Sequence, residues 1–168
     1  MLTLVGEDRP GIVAQVTAAL YRAGWNLGEA SMMRLGGNFT IMMMVSGEGS
    51  LQALERLLQP VSQALGLQMH VDAIGGGLHR HLVPNLQVRV VGADRAGIVA
   101  KVTGALASVG FNILELESDV AGTEQEPVYI MYIQGVADAT VEALQQAVDA
   151  IGEPDMEVSV SAVETLIG

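Results

Sequence analysis

The decapeptide Val5-Gly6-Glu7-Asp8-Arg9-Pro10-Gly11-Ile12-Val13-Ala14 returns 86 residues later as Val91-Gly92-Ala93-Asp94-Arg95-Ala96-Gly97-Ile98-Val99-Ala100. The same spacing pairs Val16 with Val102, Thr17 with Thr103, Leu20 with Leu106, Gly24 with Gly110, Asn26 with Asn112 and Glu29 with Glu115. A duplicated chain folds as two copies of one unit, so 168 residues read as two domains of roughly 80 residues each. The repeated residues are of two kinds. Periodic apolar positions are what any core requires, whereas the Asp-Arg-Gly cluster and the later asparagine are not explained by packing alone.

Leu2 and Leu4, and later Leu86, Val88 and Val90, precede each motif as extended segments. Ile12, Val13, Val16, Ala19, Leu20 and Ala23 recur at helical spacing, as do Ile98, Val99, Val102, Ala105, Leu106 and Val109. Each series predicts a helix of about four turns, closed by Gly24 or Gly110. Asn26 to Leu35 and Phe39 to Val45 read as strands joined at Gly36-Gly37-Asn38, and their counterparts are Asn112 to Val120 and Val128 to Val136. Between the latter lies a longer turn, Ala121 through Pro127, with Glu124 and Glu126 in it. Second helices follow around Leu51–Val61 and Val141–Ile151, now 90 residues apart, and alternating strands end each half.

The order β-α-β-β-α-β, twice, predicts an α+β protein of two ferredoxin-like domains in tandem, each an antiparallel sheet with both helices on one face. Their expected limits are residues 1–76 and 85–168, with a linker over 77–84. The unbroken apolar run Ile41-Met42-Met43-Met44-Val45, with Met32-Met33, predicts strands of the first sheet buried on both sides, against a sister domain or a second subunit.

Half the residues are hydrophobic and 16% are charged, yet no run approaches the ~20 apolar residues of a membrane span. Met1-Leu2-Thr3-Leu4 leads straight into the first motif, so a soluble, cytoplasmic protein with no membrane association is expected. The absence of cysteine excludes thiolate chemistry and disulfides. Eight Lys plus Arg against nineteen Asp plus Glu, a net charge of −11, argue against a face for nucleic-acid phosphates. Any role in gene expression then runs through another protein.

Asp8-Arg9-Pro10-Gly11 lies between the first strand and helix. Asp8 reads as the N-cap, Pro10 suits the first turn and Gly11 leaves the backbone bare, so the helix N-terminus is open to a carboxylate. Asn26, just beyond the helix, has an amide with both donor and acceptor for a zwitterion. The bland alternative, in which these residues only cap, pack and satisfy a turn, stands beside it. A Gly11→Val change is expected to close this site by bulk while leaving the fold largely intact.

The D-R-x-G-I-V-A sequence after a strand, the helix, the G-x-N-[LI] that follows and the repeated element order resemble the ACT domain, a module that binds amino acids and other small effectors. In tandem they resemble the glycine cleavage system transcriptional repressor family. The resemblance implies a non-catalytic regulator that senses a small amino acid, glycine in that family, and acts through a DNA-binding regulator partner, as a homodimer and without a cofactor. It places ligand contacts at Asp8, Arg9, Pro10, Gly11, Ile12, Val13, Asn26 and Leu27, and at Asp94, Arg95, Ala96, Gly97, Ile98, Val99, Asn112 and Ile113. The second copy has Ala96 where the first has proline, which loosens its loop.

Two rival readings remain. One is a ligand-independent interaction and oligomerisation module. The other is acylphosphatase-like hydrolysis by Arg9 and Asn26, disfavoured because Asp8 would repel phosphate. His79 and His81, with His70, read as solvated residues rather than metal ligands, since no cysteine or paired carboxylate completes a site.

Overall fold

The computed structural model describes residues 1–75, 82–93, 95–123, 125 and 127–163. Asp94 in the second loop, His79 and His81 in the linker, and Glu124 and Glu126 in the second hairpin lie outside the described residues. The chain divides into two compact units, Met1–Leu78 and His79–Gly168.

In the first unit β1 (Leu2–Glu7), α1 (Ile12–Arg22), β2 (Asn26–Leu35), β3 (Asn38–Ser46), α2 (Leu51–Leu65) and β4 (Gln68–Val71) follow in order. The second repeats them as β5 (Leu86–Ala93), α3 (Ile98–Ser108), β6 (Asn112–Gly122), β7 (Pro127–Val136), α4 (Val141–Asp149) and β8 (Met156–Ala162). Each unit carries one antiparallel four-stranded sheet, ordered β2-β3-β1-β4 and β6-β7-β5-β8, so β2 and β6 are edge strands.

Alternation along the strands decides what each face meets. Leu2, Leu4, Phe39, Ile41 and Met43 point to one face and close a core with Ile12, Val16 and Leu20 of α1 and Leu54 and Leu58 of α2. Leu86, Val88, Val90, Met131 and Ile133 do the same with Val102 and Leu106 of α3 and Leu144 and Val148 of α4. Both helices of a unit therefore cover the same face of its sheet.

The run Ile41-Met42-Met43 alternates after all: Ile41 and Met43 are buried, while Met42 is 47% exposed. Met32 and Met33 on edge strand β2 are both 56% exposed. Met42 and Met33 thus stand on the face of the sheet opposite its helices, the face expected to meet a sister domain or a second subunit, and the alternation is hidden in the sequence because every position of the run is apolar. The first helices are also shorter than expected, about three turns of eleven residues. The β6–β7 hairpin extends further than the sequence suggested, with Gly122 paired to Pro127.

Candidate ligand site

The loop between β1 and α1 does not cap its helix with a side chain. Gly11 itself is the N-cap residue, in the left-handed region at φ 90°, and Gly97 repeats this at φ 95°. The expected N-cap role of Asp8 is thus corrected: the chain enters the helix three residues later, and Asp8 is turned to Arg34 instead. Arg34 reaches from β2 so that its Nε lies 2.5 Å from Asp8 Oδ2. Arg9 pairs with Glu7, Nη2 to Oε2 at 2.9 Å, rather than standing free in solvent. By contrast the second helices are capped, with Ser50 Oγ accepting from the Ala53 N–H and Thr140 Oγ1 from that of Ala143. The bare starts of α1 and α3 leave first-turn N–H groups and the positive end of the helix dipole facing outward.

Of the other predicted contacts in the first unit, Pro10 and Val13 are exposed and Ile12 is buried in the core, so Ile12 has only its backbone to offer. In the second, Arg95, Ala96, Gly97 and Val99 are exposed and Ile98 enters the core. Ile113 packs against that core from the start of β6.

The asparagines are not beside these loops. Glu7 is registered with Asn38 at one end of β3, whereas Asn26 is registered with Ser46 at the other. At the rise of a strand those positions lie about 26 Å apart. Asn26 and Leu27 open instead onto a groove of about 510 Å³ between α1 and the start of β2, lined also by Ala14, Thr17, Ala18, Leu20, Tyr21 and Trp25. Asn112 likewise starts β6, registered with Val136, far from the end where Gly92 meets Tyr129. The constellation expected from adjacency in sequence is therefore split within a unit, since a helix returns the chain along the full length of the sheet.

The second loop has neighbours that sequence reasoning missed. Arg95 Nη2 lies 2.6 Å from Asp155 Oδ2, and the Lys101 ammonium pairs with Glu153 Oε1. Hydrogen bonding from Lys101, then its charge, holds the Glu153 carboxyl below the ordinary 4.5. These side chains border a partly enclosed pocket of about 60 Å³ floored by Ala93, Ala96, Ile98 and Met156. The available signals were the lysine at the position of Gln15 and the longer α4–β8 connection, Ala150 to Asp155 against Gly66-Leu67 in the first unit. Gly92 is required beneath that connection, for a Cβ there would lie 2.9 Å from the Asp155 carbonyl oxygen.

Comparison with known proteins follows this division into two units. Residues 1–72 match one ACT domain model and residues 86–149 another. The chain is 26% identical over 156 residues to the glycine cleavage system transcriptional repressor of Escherichia coli K12, covering 90% of this chain and 82% of that protein. A single-unit relative, the UPF0237 protein YjhC of Lactococcus lactis, is 39% identical over 83 residues, 48% of this chain and 95% of its own. Among solved structures, an unknown protein from Galdieria sulphuraria superposes with a TM-score of 0.70 at 26% identity, covering 97% of this chain and 96% of that one. The chain is a tandem ACT-domain protein, a regulatory protein related to the glycine cleavage system transcriptional repressors.

Proposed function

We propose that this protein is a non-catalytic, cytoplasmic sensor of a small amino acid, glycine first among them, that acts on transcription through a DNA-binding regulator partner. The observation that carries this reading is the alignment of both ACT units, in order, with a glycine cleavage system transcriptional repressor over 90% of the chain. Charge supports the indirect route to DNA. Of eight basic side chains, Arg9, Arg34, Arg95 and Lys101 are already paired with the protein's own carboxylates, which leaves too few for a phosphate-binding face.

The separation of Asp8–Gly11 from Asn26 bears on how such a ligand is held. A second copy of the chain, adding its β2 edge antiparallel to the first, would bring its Asn26 end to the Asp8–Gly11 end of its neighbour. An amino acid touching both is then shared by a homodimer, and binding shifts the population of associated states that the partner protein meets. The rival, a ligand-independent association module, draws on the same exposed β2 edge with Met32, Met33 and Leu35.

Thermal unfolding against the twenty amino acids separates the two. A ligand at about 100 times its dissociation constant adds roughly 2.7 kcal/mol, worth about 2–4 °C per kcal/mol for a chain of this size. A selective rise with glycine or another small amino acid is expected; a transition unmoved by all twenty would favour the association module. Gly11→Val is a poor control, because a β-branched residue at φ 90° strains the backbone whether or not a ligand binds there. Asn26→Ala is the better one.

A further inference from the structure

We propose that the helix-free face of the second sheet binds a pyrimidine nucleobase, in a slot between two rows of side chains that cross β8, β5 and β7. The inference goes beyond the amino-acid sensor reading and does not rest on it.

Strand register builds the slot. Leu86, Val88 and Val90 fill the core, so Gln87 and Arg89 between them project from the opposite face. Pairing sets Gln87 between Ser161 and Gln134, and Arg89 between Ser159 and Tyr132. Such rows, two residues apart along a strand, are separated by roughly 6.8 Å, close to twice the ~3.5 Å contact distance between carbon atoms. A flat ring therefore fits between them with both of its faces in contact. The six side chains border a pocket of about 140 Å³, to which Val88 and Ile133 add only backbone because their side chains are buried.

The walls of this pocket are polar. On one side Arg89 lies over the Tyr132 ring, its Cζ 6.0 Å from the centroid and its Nε 3.4 Å from the phenol oxygen. On the other stand the carboxamides of Gln134 and Gln87, the latter donating from Nε2 to Ser161 Oγ at 3.0 Å. Aromatic rings and guanidinium planes are surfaces on which bases stack. Carboxamides and hydroxyls each donate and accept, so the edge they recognise carries both kinds of group, as the carbonyl and N–H groups alternating around uracil do. A hydrocarbon ring would strip water from these groups and return no hydrogen bond.

Volume and charge narrow the occupant further. A space of 140 Å³ is well below the roughly 300 Å³ at which drug-sized sites begin, so it takes one ring without a large substituent. Arg89 has no carboxylate partner among the described residues, yet Glu117 is registered with Tyr132 and Glu157 with Val91, and both repel a phosphate chain. The ligand is thus a free base rather than a nucleic-acid strand. In the first unit Thr3 is registered with Met42 where the second has Arg89 with Tyr132, so those positions supply neither cation nor phenol.

The test is a ¹H–¹⁵N spectrum of the full chain titrated with millimolar uracil. Saturable shifts are expected at residues 87–89, 132–134 and 159–161 and at the side-chain amides of Gln87 and Gln134. Dihydrouracil, which keeps the hydrogen-bonding edge of uracil but not its flat ring, should bind at least about tenfold more weakly. The paired change Arg89→Thr with Tyr132→Met installs the residues that the first unit carries at the same register, so the sheet tolerates it, and it should cost uracil affinity by a similar factor. No saturable response to uracil at these residues would overturn the site, as would unaltered affinity in the double variant or equal affinity for dihydrouracil. Acetate alone reproducing the shifts would also overturn it, marking an anion contact at Arg89 only.

Discussion

Gly11 and Gly97 are the residues on which the repeated loop turns. Each adopts a left-handed conformation that costs an L-residue about 1–2 kcal/mol. At Gly97 a Cβ would meet nothing within 4 Å, so Gly97→Ala isolates that backbone cost from any clash. Loss of about 1–2 kcal/mol in urea unfolding is expected, with no compensating gain from the added methyl. Glu153 makes a second prediction at this scale. Its carboxyl is held below 4.5 in the folded protein by Lys101, so its contribution to stability is present above that value and is lost as pH falls through the lower, folded one. A carboxyl-carbon NMR titration should find Glu153 titrating below its ordinary range, and Lys101→Gln should return it there. Little of this was visible in sequence. The repeat drew attention to Asp8, Arg9 and their copies, but Arg34, Glu153 and Asp155 lie 26 to 60 residues from the groups they pair with, beyond any local pattern.

Elements were more legible than contacts, because periodicity and turn chemistry are local. The change of repeat spacing from 86 to 90 residues located the enlarged second hairpin, and the Gly36-Gly37 turn joined β2 to β3 as expected. What misled was adjacency: Asn26 follows α1 closely in sequence, yet a β-α-β unit carries its helix back along the sheet, so residues flanking the helix occupy opposite ends. The α2 helix holds another instructive residue. Pro60 sits inside Leu51–Leu65, where it has no N–H to offer the Arg56 carbonyl and its ring crowds that turn. Packing of Leu54, Leu58 and Leu65 into the core keeps the helix intact across it. Pro60→Ala should stabilise the first unit by about 1–3 kcal/mol, read from the midpoint of urea unfolding at unchanged m-value.

For the whole molecule, the duplication, the two sheets and the acidic balance were all present in the sequence, since each depends on composition and repeat rather than on distant contacts. Among the described residues no helix is long and apolar enough to cross a membrane. With a net charge of −11 and, among the described residues, Arg9, Arg34, Arg95 and Lys101 paired with carboxylates, the chain alone should leave duplex DNA unshifted in a gel at low salt, where phosphate contacts are strongest. A shift by the purified protein would contradict the indirect route to DNA.

The uncapped starts of α1 and α3 have one more consequence. Among the described residues, backbone amides at 12–14 and 98–100 have no side-chain acceptor, unlike those guarded by Ser50 and Thr140. Their protons are open to deuterium in solvent, and an anion seated at either helix start would slow that exchange. Each copy of the repeat thus carries its own unlabelled occupancy gauge, and the two can be read separately in one sample.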